Sequence, residues 1–249
     1  QLMLAHKSDP EWAHFIVPAT MAVEAGILYG AEVDQARRDL PPWKFMALYM
    51  CQGSDHPLQM MNAGAIGDLW TNRAEDGSRC MVVDPAGDGQ DLALIVVYDG
   101  LQIIDIYTEE RSNGPDFIQK VDAMAQKWSI GRSKIIVDAD GLGGMGVADH
   151  LPGCYRFHGG GAIIPQKGDK KLNFANLRTQ CYYLLADYVN DRTLSINPEL
   201  SQHRVDITIE LEAVRRYDEL AEGKLRIISK EDMKEIIGRS PDFGDTLMM

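Results

Sequence analysis

The chain is short of cysteine, of clustered histidine and of positive charge, and each shortage excludes something. Its four cysteines, Cys51, Cys80, Cys154 and Cys181, are scattered without a Cys-x-x-Cys pair. That argues against a zinc site and fits reduced thiols in a cytoplasmic protein. The six histidines are dispersed as well. Pro152 and Gly153 separate His150 from His158, so these two form no helical i, i+4 metal pair. No apolar run reaches the ~18 residues that a membrane span needs. The first residues, Gln1 to Lys7, lack a basic stretch followed by a long apolar one, so no secretory signal is expected. A Gly-x-x-x-x-Gly-Lys-Ser/Thr phosphate loop is missing, and ATP hydrolysis by this chain alone is not expected. Lys and Arg number 25 against 37 Asp and Glu, a net charge of −12, which argues against a generic nucleic-acid binder with a broad basic footprint.

The 249 residues, 45% hydrophobic and 25% charged, suit one large domain or one domain with an added segment. Residues 1–75 differ from the rest. They hold Pro10, Pro18, Pro41, Pro42 and Pro57, a helix expected over Gly30 to Asp39, and a second after Pro42 with Trp43, Phe45, Met46 and Tyr49 as apolar positions. This part reads as a helical, loop-rich linker, with the main domain over residues 76–249. There the pattern changes. Cys80 to Asp84, Leu92 to Tyr98 and Leu101 to Tyr107 are apolar runs, and Asp99-Gly100 between the last two is a hairpin signal. Phe117, Val121, Met124 and Trp128 recur at helical spacing, and Lys134 to Val137 is a buried-strand run ending at Asp138. A glycine-rich turn is expected to lead into Val147 to Leu151. Further on, helices are expected over Phe174 to Asn190 and Leu200 to Tyr217. Strands are expected at Thr193 to Ile196 and Leu225 to Ile228, with a short helix from Lys230. Strands, helix, strand and helix in this order give a mixed α/β layer architecture.

The informative feature is where the aspartates fall. Asp84 closes the first strand, Asp138 closes the strand after the first helix, and Asp245 lies at a helix start. A charged group directly after buried apolar positions is costly unless paired or bound to a cation. Convergent carboxylates repel one another, and Mg²⁺ or Mn²⁺ relieves that because hard cations prefer carboxylate and water oxygens. Such a cluster also accounts for part of the net negative charge. Any one of these aspartates alone is an ordinary turn or cap residue; the set in this order is what points to a site. Elsewhere, Gly159-Gly160-Gly161 reads as a flexible loop. Lys167, Lys170 and Lys171 beside Arg178 form the one local basic cluster, able to contact backbone phosphates. Tyr182, Tyr183 and Tyr188 read as core rather than a stacking platform.

Val83-Asp84-Pro85-Ala86-Gly87-Asp88-Gly89-Gln90-Asp91 resembles the first nuclease motif of the large terminase subunit of tailed bacteriophages. Asp138-Ala139-Asp140-Gly141-Leu142-Gly143, followed by Val147 to Leu151, resembles the second. Lys230 to Lys234 with Gly238 to Leu247 resembles the third, and Asn173-Phe174-Ala175-Asn176-Leu177-Arg178 is similar to the family's Asn-x-Arg-bearing helix. The motif order is kept over residues 80–249. Gly244 stands where family members often carry alanine.

The resemblance implies an α/β, ribonuclease H-like mixed sheet flanked by helices, preceded by a helical linker from the end of an ATPase region. It implies metal coordination and catalysis by Asp84, Asp138 and Asp245, with Asp91, Asp140 and Asp242 in second rank. The second-motif ligand is Asp138 or Asp140; Asp138 is favoured because it directly follows the apolar strand. The cofactors implied are two Mg²⁺ or Mn²⁺ ions, and the DNA-binding residues Lys167, Lys170, Lys171 and Arg178. The reaction implied is cutting of concatemeric double-stranded DNA in the host cell cytoplasm. Portal protein, small terminase subunit and further large subunits are the implied partners, without a membrane. Two other readings stay open on the sequence: another ribonuclease H-like nuclease of integrase, resolvase or hybrid-cutting type, and a non-catalytic domain that docks DNA or a portal.

Overall fold

A computed structural model describes residues 17–40, 42–51, 56–85, 92–110, 114–166, 171–217 and 223–249. Asp91, Lys167 and Lys170 lie outside these residues. By contacts the chain divides into two compact units, Gln1–Gln59 and Met60–Met249.

In the first unit, helices α1 (Ala19–Glu24), α2 (Gly30–Asp39) and α3 (Pro42–Tyr49) match the two helices expected from sequence and add a short one before them. They bury Ala19, Val33 and Phe45 together. Phe45 and Tyr49 stack at 5.4 Å, and the Arg37 guanidinium sits 5.0 Å from the Phe45 ring centre.

The second unit starts sixteen residues before the expected boundary at residue 76. Helix α4 (Ala63–Asp68) is the reason. Met61, Ala65, Ile66, Leu69 and Trp70 are all buried in the main core, so residues 60–75 belong to the sheet domain, not to the linker. Strands β1 (Arg79–Asp84), β2 (Ala93–Asp99) and β3 (Gln102–Glu109) form the antiparallel meander that the apolar runs predict. The β2–β3 turn uses Gly100 at φ 60°, where a Cβ would stand 2.4 Å from the Glu75 carbonyl oxygen. Helix α5 (Gly114–Lys127) then leads to β4 (Ile135–Asp138), which lies parallel to β1.

After β4 the glycine-rich stretch is helix α6 (Gly141–His150), not the expected turn. Glycine serves close approach here: a Cβ on Gly144 would lie 2.1 Å from the Asp138 carbonyl oxygen, so the helix passes against the end of β4 only without a side chain. Next come β5 (Tyr155–Phe157), α7 (Leu177–Asn190), β6 (Ser195–Ile196), a 3-10 stretch over Pro198–His203 and α8 (Arg204–Ala213). Helices α9 (Lys230–Ile237) and α10 (Asp242–Met248) finish the chain. Helix α7 starts at Leu177 rather than Phe174 because Asn176 caps it, its side chain accepting from Thr179 N at 2.9 Å. Helix α8 stops at Ala213, short of the expected Tyr217, as Val214 turns extended. The strand expected at Leu225 to Ile228 is reduced to isolated bridges, Phe174 with Leu225 and Arg216 with Ile227.

Among the described residues the sheet has six strands in the order β5-β4-β1-β2-β3-β6. This is the ribonuclease H-like mixed sheet expected from the motifs. Strand side chains alternate between its faces. Met81, Val83, Ile95, Val97, Ile135 and Val137 pack with Phe117 and Val121 of α5 and with Val147 and Ala148 of α6. Val82, Leu94, Val96 and Tyr98 pack on the other face with α4, α7, α8 and α10. Both faces are covered, which explains why β1 and β2 read as unbroken apolar runs. No helix of the described residues is long and apolar enough to cross a membrane.

Candidate functional site

The parallel register of β1 and β4 builds the centre of the site. Met81, Val82 and Val83 stand level with Ile135, Ile136 and Val137, so the next residues, Asp84 and Asp138, end neighbouring strands side by side. The pleat decides where they point. Asp84 has the parity of Val82, and Asp138 that of Ile136, both of which face the side of the sheet that α7, α8 and α10 cover. Helix α10 brings Asp242 and Asp245 to this side, only 4% and 5% exposed. Asp242 Oδ2 accepts from Leu92 N at 2.9 Å, tying α10 to the start of β2. Thr246, one residue after Asp245, donates to the Asp242 carbonyl at 2.7 Å, and its Oγ1 lies 3.4 Å from Asp84 Oδ2.

Asp245 is the most heavily held. Its Oδ1 accepts from the Tyr182 hydroxyl at 2.8 Å and from Arg178 at 3.1 and 3.2 Å; its Oδ2 lies 3.3 Å from Lys230 Nζ. Lys230 is placed by its helix start: Ser229 and Asp232 form a reciprocal capping box that fixes the first turn of α9. Burial works to lower the pKa of the Lys230 ammonium, but Asp245, Asp84 and Asp242 outweigh it and raise the pKa. The group therefore stays charged within the cluster.

The carboxylates on the strands are less well compensated. Burial first, and then the Asp138, Asp245 and Asp242 carboxylates, hold the Asp84 carboxyl well above the usual carboxylate range, against the pull of Lys230. Asp138 is raised by burial and by Asp140 and Asp245, while the Asp140 N–H and Lys230 act the other way. That N–H donates to Asp138 Oδ1 at 3.0 Å.

Asp138 and Asp140 thus part company. Asp138 belongs to the electrostatic neighbourhood of Asp84. Asp140 faces the glycine loop, where Oδ2 accepts from Gly159 N at 2.9 Å and Oδ1 lies 2.9 Å from His158 Nδ1. The loop itself is pinned rather than free. Arg178 N donates to Gly159 O at 2.9 Å, and Leu177 N to Gly161 O at 3.0 Å.

Of the expected DNA-binding residues, Lys171 is described and exposed. Arg178 is turned inward: beyond Asp245, it reaches the Ile228 carbonyl and Met233 Sδ, and its guanidinium lies 5.0 Å from the Tyr182 ring centre. These engagements make it a partner of Asp245 rather than part of the lysine cluster. Sequence reasoning did not single out Lys230 or Tyr182 as partners of Asp245. Tyr182 does lie in the core, as its helical spacing predicts, but its hydroxyl aims at the site. The capping residues Ser229 and Asp232 are a local signal that could have placed Lys230.

Among the described residues no three His, Cys, Asp or Glu side chains are gathered closely enough to cage a metal ion. The donor set nevertheless has the chemistry of a hard-cation site. It consists of carboxylate oxygens, two of which carry raised pKa values from burial and mutual repulsion, and a divalent cation is what removes that penalty.

No family model matches the chain, and no curated protein does. Solved structures do resemble it. The nuclease domain of the large terminase subunit gp2 of bacterial virus Sf6 aligns at TM-score 0.64 and 19% identity, over 77% of this chain and 97% of that one. A mutant of that domain with manganese and beta-thujaplicinol gives TM-score 0.64 and 20% identity, over 77% and 97%. A mutant with calcium gives 0.65 and 19%, over 77% and 98%. At such identities the likeness is one of fold, and it takes in nearly the whole of those domains.

Proposed function

We propose that this chain carries a metal-dependent DNA endonuclease, the nuclease part of a phage packaging terminase. The observation that carries this reading is the pairing of Asp84 with Asp138 at the ends of two parallel strands, facing Asp242 and Asp245 from α10. The ordered motifs and the shared fold support it, as does the metal that relatives of this fold hold in their crystals.

Asp84, Asp138 and Asp245 are the residues that would hold Mg²⁺ or Mn²⁺, with Asp242, Asp140 and Asp91 in supporting places. Two such ions would supply water activation and charge stabilisation for phosphodiester hydrolysis. The chain's own side chains do the rest. Tyr182 and Arg178 orient Asp245 through Oδ1. Lys230 offsets the carboxylate repulsion from its place beside Asp245. Asp140 holds the His158–Gly159 loop at the edge of the cluster. Lys167, Lys170 and Lys171 would meet backbone phosphates, contacts that carry no base information and suit sequence-independent cutting. Concatemeric double-stranded DNA is the substrate of this reading. A portal, a small subunit and further large subunits in the host cytoplasm are its partners. With a net charge of −12, binding of duplex by the isolated chain is expected to be weak and salt-sensitive.

The test is plasmid cleavage in Mn²⁺ by the chain and by Asp84→Asn and Asp138→Asn, with circular dichroism as the folding control. Loss of cutting in both folded variants is expected; cutting at the unmodified rate by both overturns the reading. A second reading, a non-catalytic DNA- or portal-docking domain, draws on the already satisfied Asp245 and the lack of a ready cage among the described residues. Calorimetry separates the two: no Mn²⁺ uptake at ~10 mM favours docking, since carboxylate sites of this type normally hold such ions with waters.

A further inference from the structure

A fully buried acid lies behind the helix that carries Asp242 and Asp245. Glu210, on α8, has 0% of its surface exposed. A carboxylate in such a place is destabilising unless it is paired and its oxygens are hydrogen-bonded. Both oxygens of Glu210 are engaged. Oε1 accepts from Arg239 Nη1, and Oε2 accepts from the Gly244 backbone N–H at 2.8 Å. Gly244 is in the first turn of α10, where backbone N–H groups have no partner inside the helix.

Arg239 extends the grip. Its other terminal nitrogen reaches Asp206 Oδ1 at 2.9 Å, one turn before Glu210 on α8, and Nη1 also donates to the Ser240 carbonyl at 3.2 Å. Helix α8 therefore holds both the connector between α9 and α10 and the first turn of α10 itself. Gly244 is wedged in this contact: a Cβ there would stand 3.2 Å from the Tyr182 hydroxyl and 3.8 Å from Glu210 Oε2. Tyr182 binds the Asp245 carboxylate next to Gly244, and Glu210 binds the Gly244 backbone itself.

An apolar residue at position 210 would fill the same space without the cost of burying a charge. What it cannot do is accept the Gly244 N–H. Helix α10 spans only seven residues, too few to hold its own geometry by helix formation alone. We infer that Glu210 is a positioning residue for the carboxylate cluster, fixing α10 through the Gly244 N–H and Arg239 at the rotation that presents Asp242 and Asp245 to Asp84. This rests on the metal-nuclease reading above.

The experiment measures Mn²⁺ affinity by calorimetry and plasmid-cleavage kinetics on the 249-residue chain. The variants are Glu210→Met, Arg239→Gln, the double variant, Asp84→Asn and, as a packing control on α8, Ile207→Val. Glu210→Met, which keeps the volume and removes the acceptor of the Gly244 N–H, and Arg239→Gln should each weaken Mn²⁺ binding by about 10-fold or more, the scale for partners that orient a ligand. They should lower kcat and leave KM for DNA unchanged. The double variant should add little to either single one, because both act through one clamp. Ile207→Val should lower Tm and leave Mn²⁺ affinity as it was. Unchanged Mn²⁺ affinity in folded Glu210→Met overturns the positioning role; should that variant not fold, the same result in Arg239→Gln overturns it. If instead Asp84→Asn binds Mn²⁺ as the unmodified chain does, the metal reading fails, and the clamp is not at fault.

Discussion

The Tyr182 hydroxyl, at the centre of the core, donates to Asp245 Oδ1 at 2.8 Å. Burial first, and then the Asp245 charge, push the Tyr182 phenol well above its usual range, so the proton stays on the tyrosine and the bond keeps its direction. A carboxylate at the site is thereby held from inside the fold, by a side chain with no access to solvent. Tyr182→Phe removes only this donor. The expected loss in stability is about 1.5–3 kcal/mol, the range for a hydrogen bond to a charged group. Urea melts of the metal-free chain check it, and a loss below about 0.5 kcal/mol would mean that the bond contributes nothing net.

Asp138 and Asp140 are two residues apart but meet different partners, so their asparagine variants should behave differently. Asp138→Asn is expected to abolish Mn²⁺-dependent cleavage with little change in Tm. Asp140→Asn should cut at a reduced rate, because it weakens the anchor on His158 and Gly159 while leaving both strand-end carboxylates in place. The reverse order of effects in a cleavage time course would assign the ligand to Asp140.

Stability without metal should fall as pH rises. Burial pushes the Glu210 carboxyl up from its ordinary value of 4.5 to about 8, even with Arg239 beside it. Asp84 and Asp138 are raised too, for reasons of burial and like charge. In each case the folded chain keeps its proton to a higher pH than the unfolded chain does. The stabilisation is complete below the unfolded pKa and is lost as pH passes through the folded one. Tm of the metal-free chain is expected to drop between pH 4.5 and about 8, with a flatter profile for Glu210→Gln. Added Mn²⁺ should recover Tm most at the upper end, where the carboxylates are ionised. A Tm that climbs through this window without metal would contradict the burial of these acids.

Lys230 neutralises the cluster from its place 3.3 Å from Asp245 Oδ2. Lys230→Ala should therefore do two opposite things. The metal-free chain loses stability, since the carboxylates then repel one another unopposed. Mn²⁺ binds more tightly, by roughly tenfold if the lost interaction equals one pKa unit. Differential scanning calorimetry and metal titration read the two effects separately, and weaker Mn²⁺ binding in this variant would show that the ammonium does not compete with the cation.

Much of the architecture was legible because it is local. Unbroken apolar runs closed by Asp84 and Asp138, the Asp99-Gly100 turn and the spacing of Phe117 and Val121 each report on a few neighbouring residues, and β1 to β4 and α5 followed from them. The misreadings came where a distant contact overrode the local pattern. Gly141 to Gly146 looked like a turn, yet the glycines serve a helix pressed against β4, with the Gly144 Cα facing the Asp138 carbonyl. Residues 60–75 looked like linker because no strand-like alternation shows in this part of the chain, yet Ile66 and Leu69 are fully buried.

The sequence by itself determined which acids end strands and open a helix, since burial periodicity and turn chemistry are written within short stretches. It also determined the order of the motifs. Only the tertiary structure decided how those acids divide their work. The parallel register of β1 and β4 puts Asp84 beside Asp138, and the glycine loop draws Asp140 away. Arg178 is turned from the expected DNA face to Asp245, and Glu210 and Tyr182 close on α10 from two other helices. These are contacts between residues tens of positions apart, and their geometry follows from how the layers pack, which no local pattern of residue types encodes.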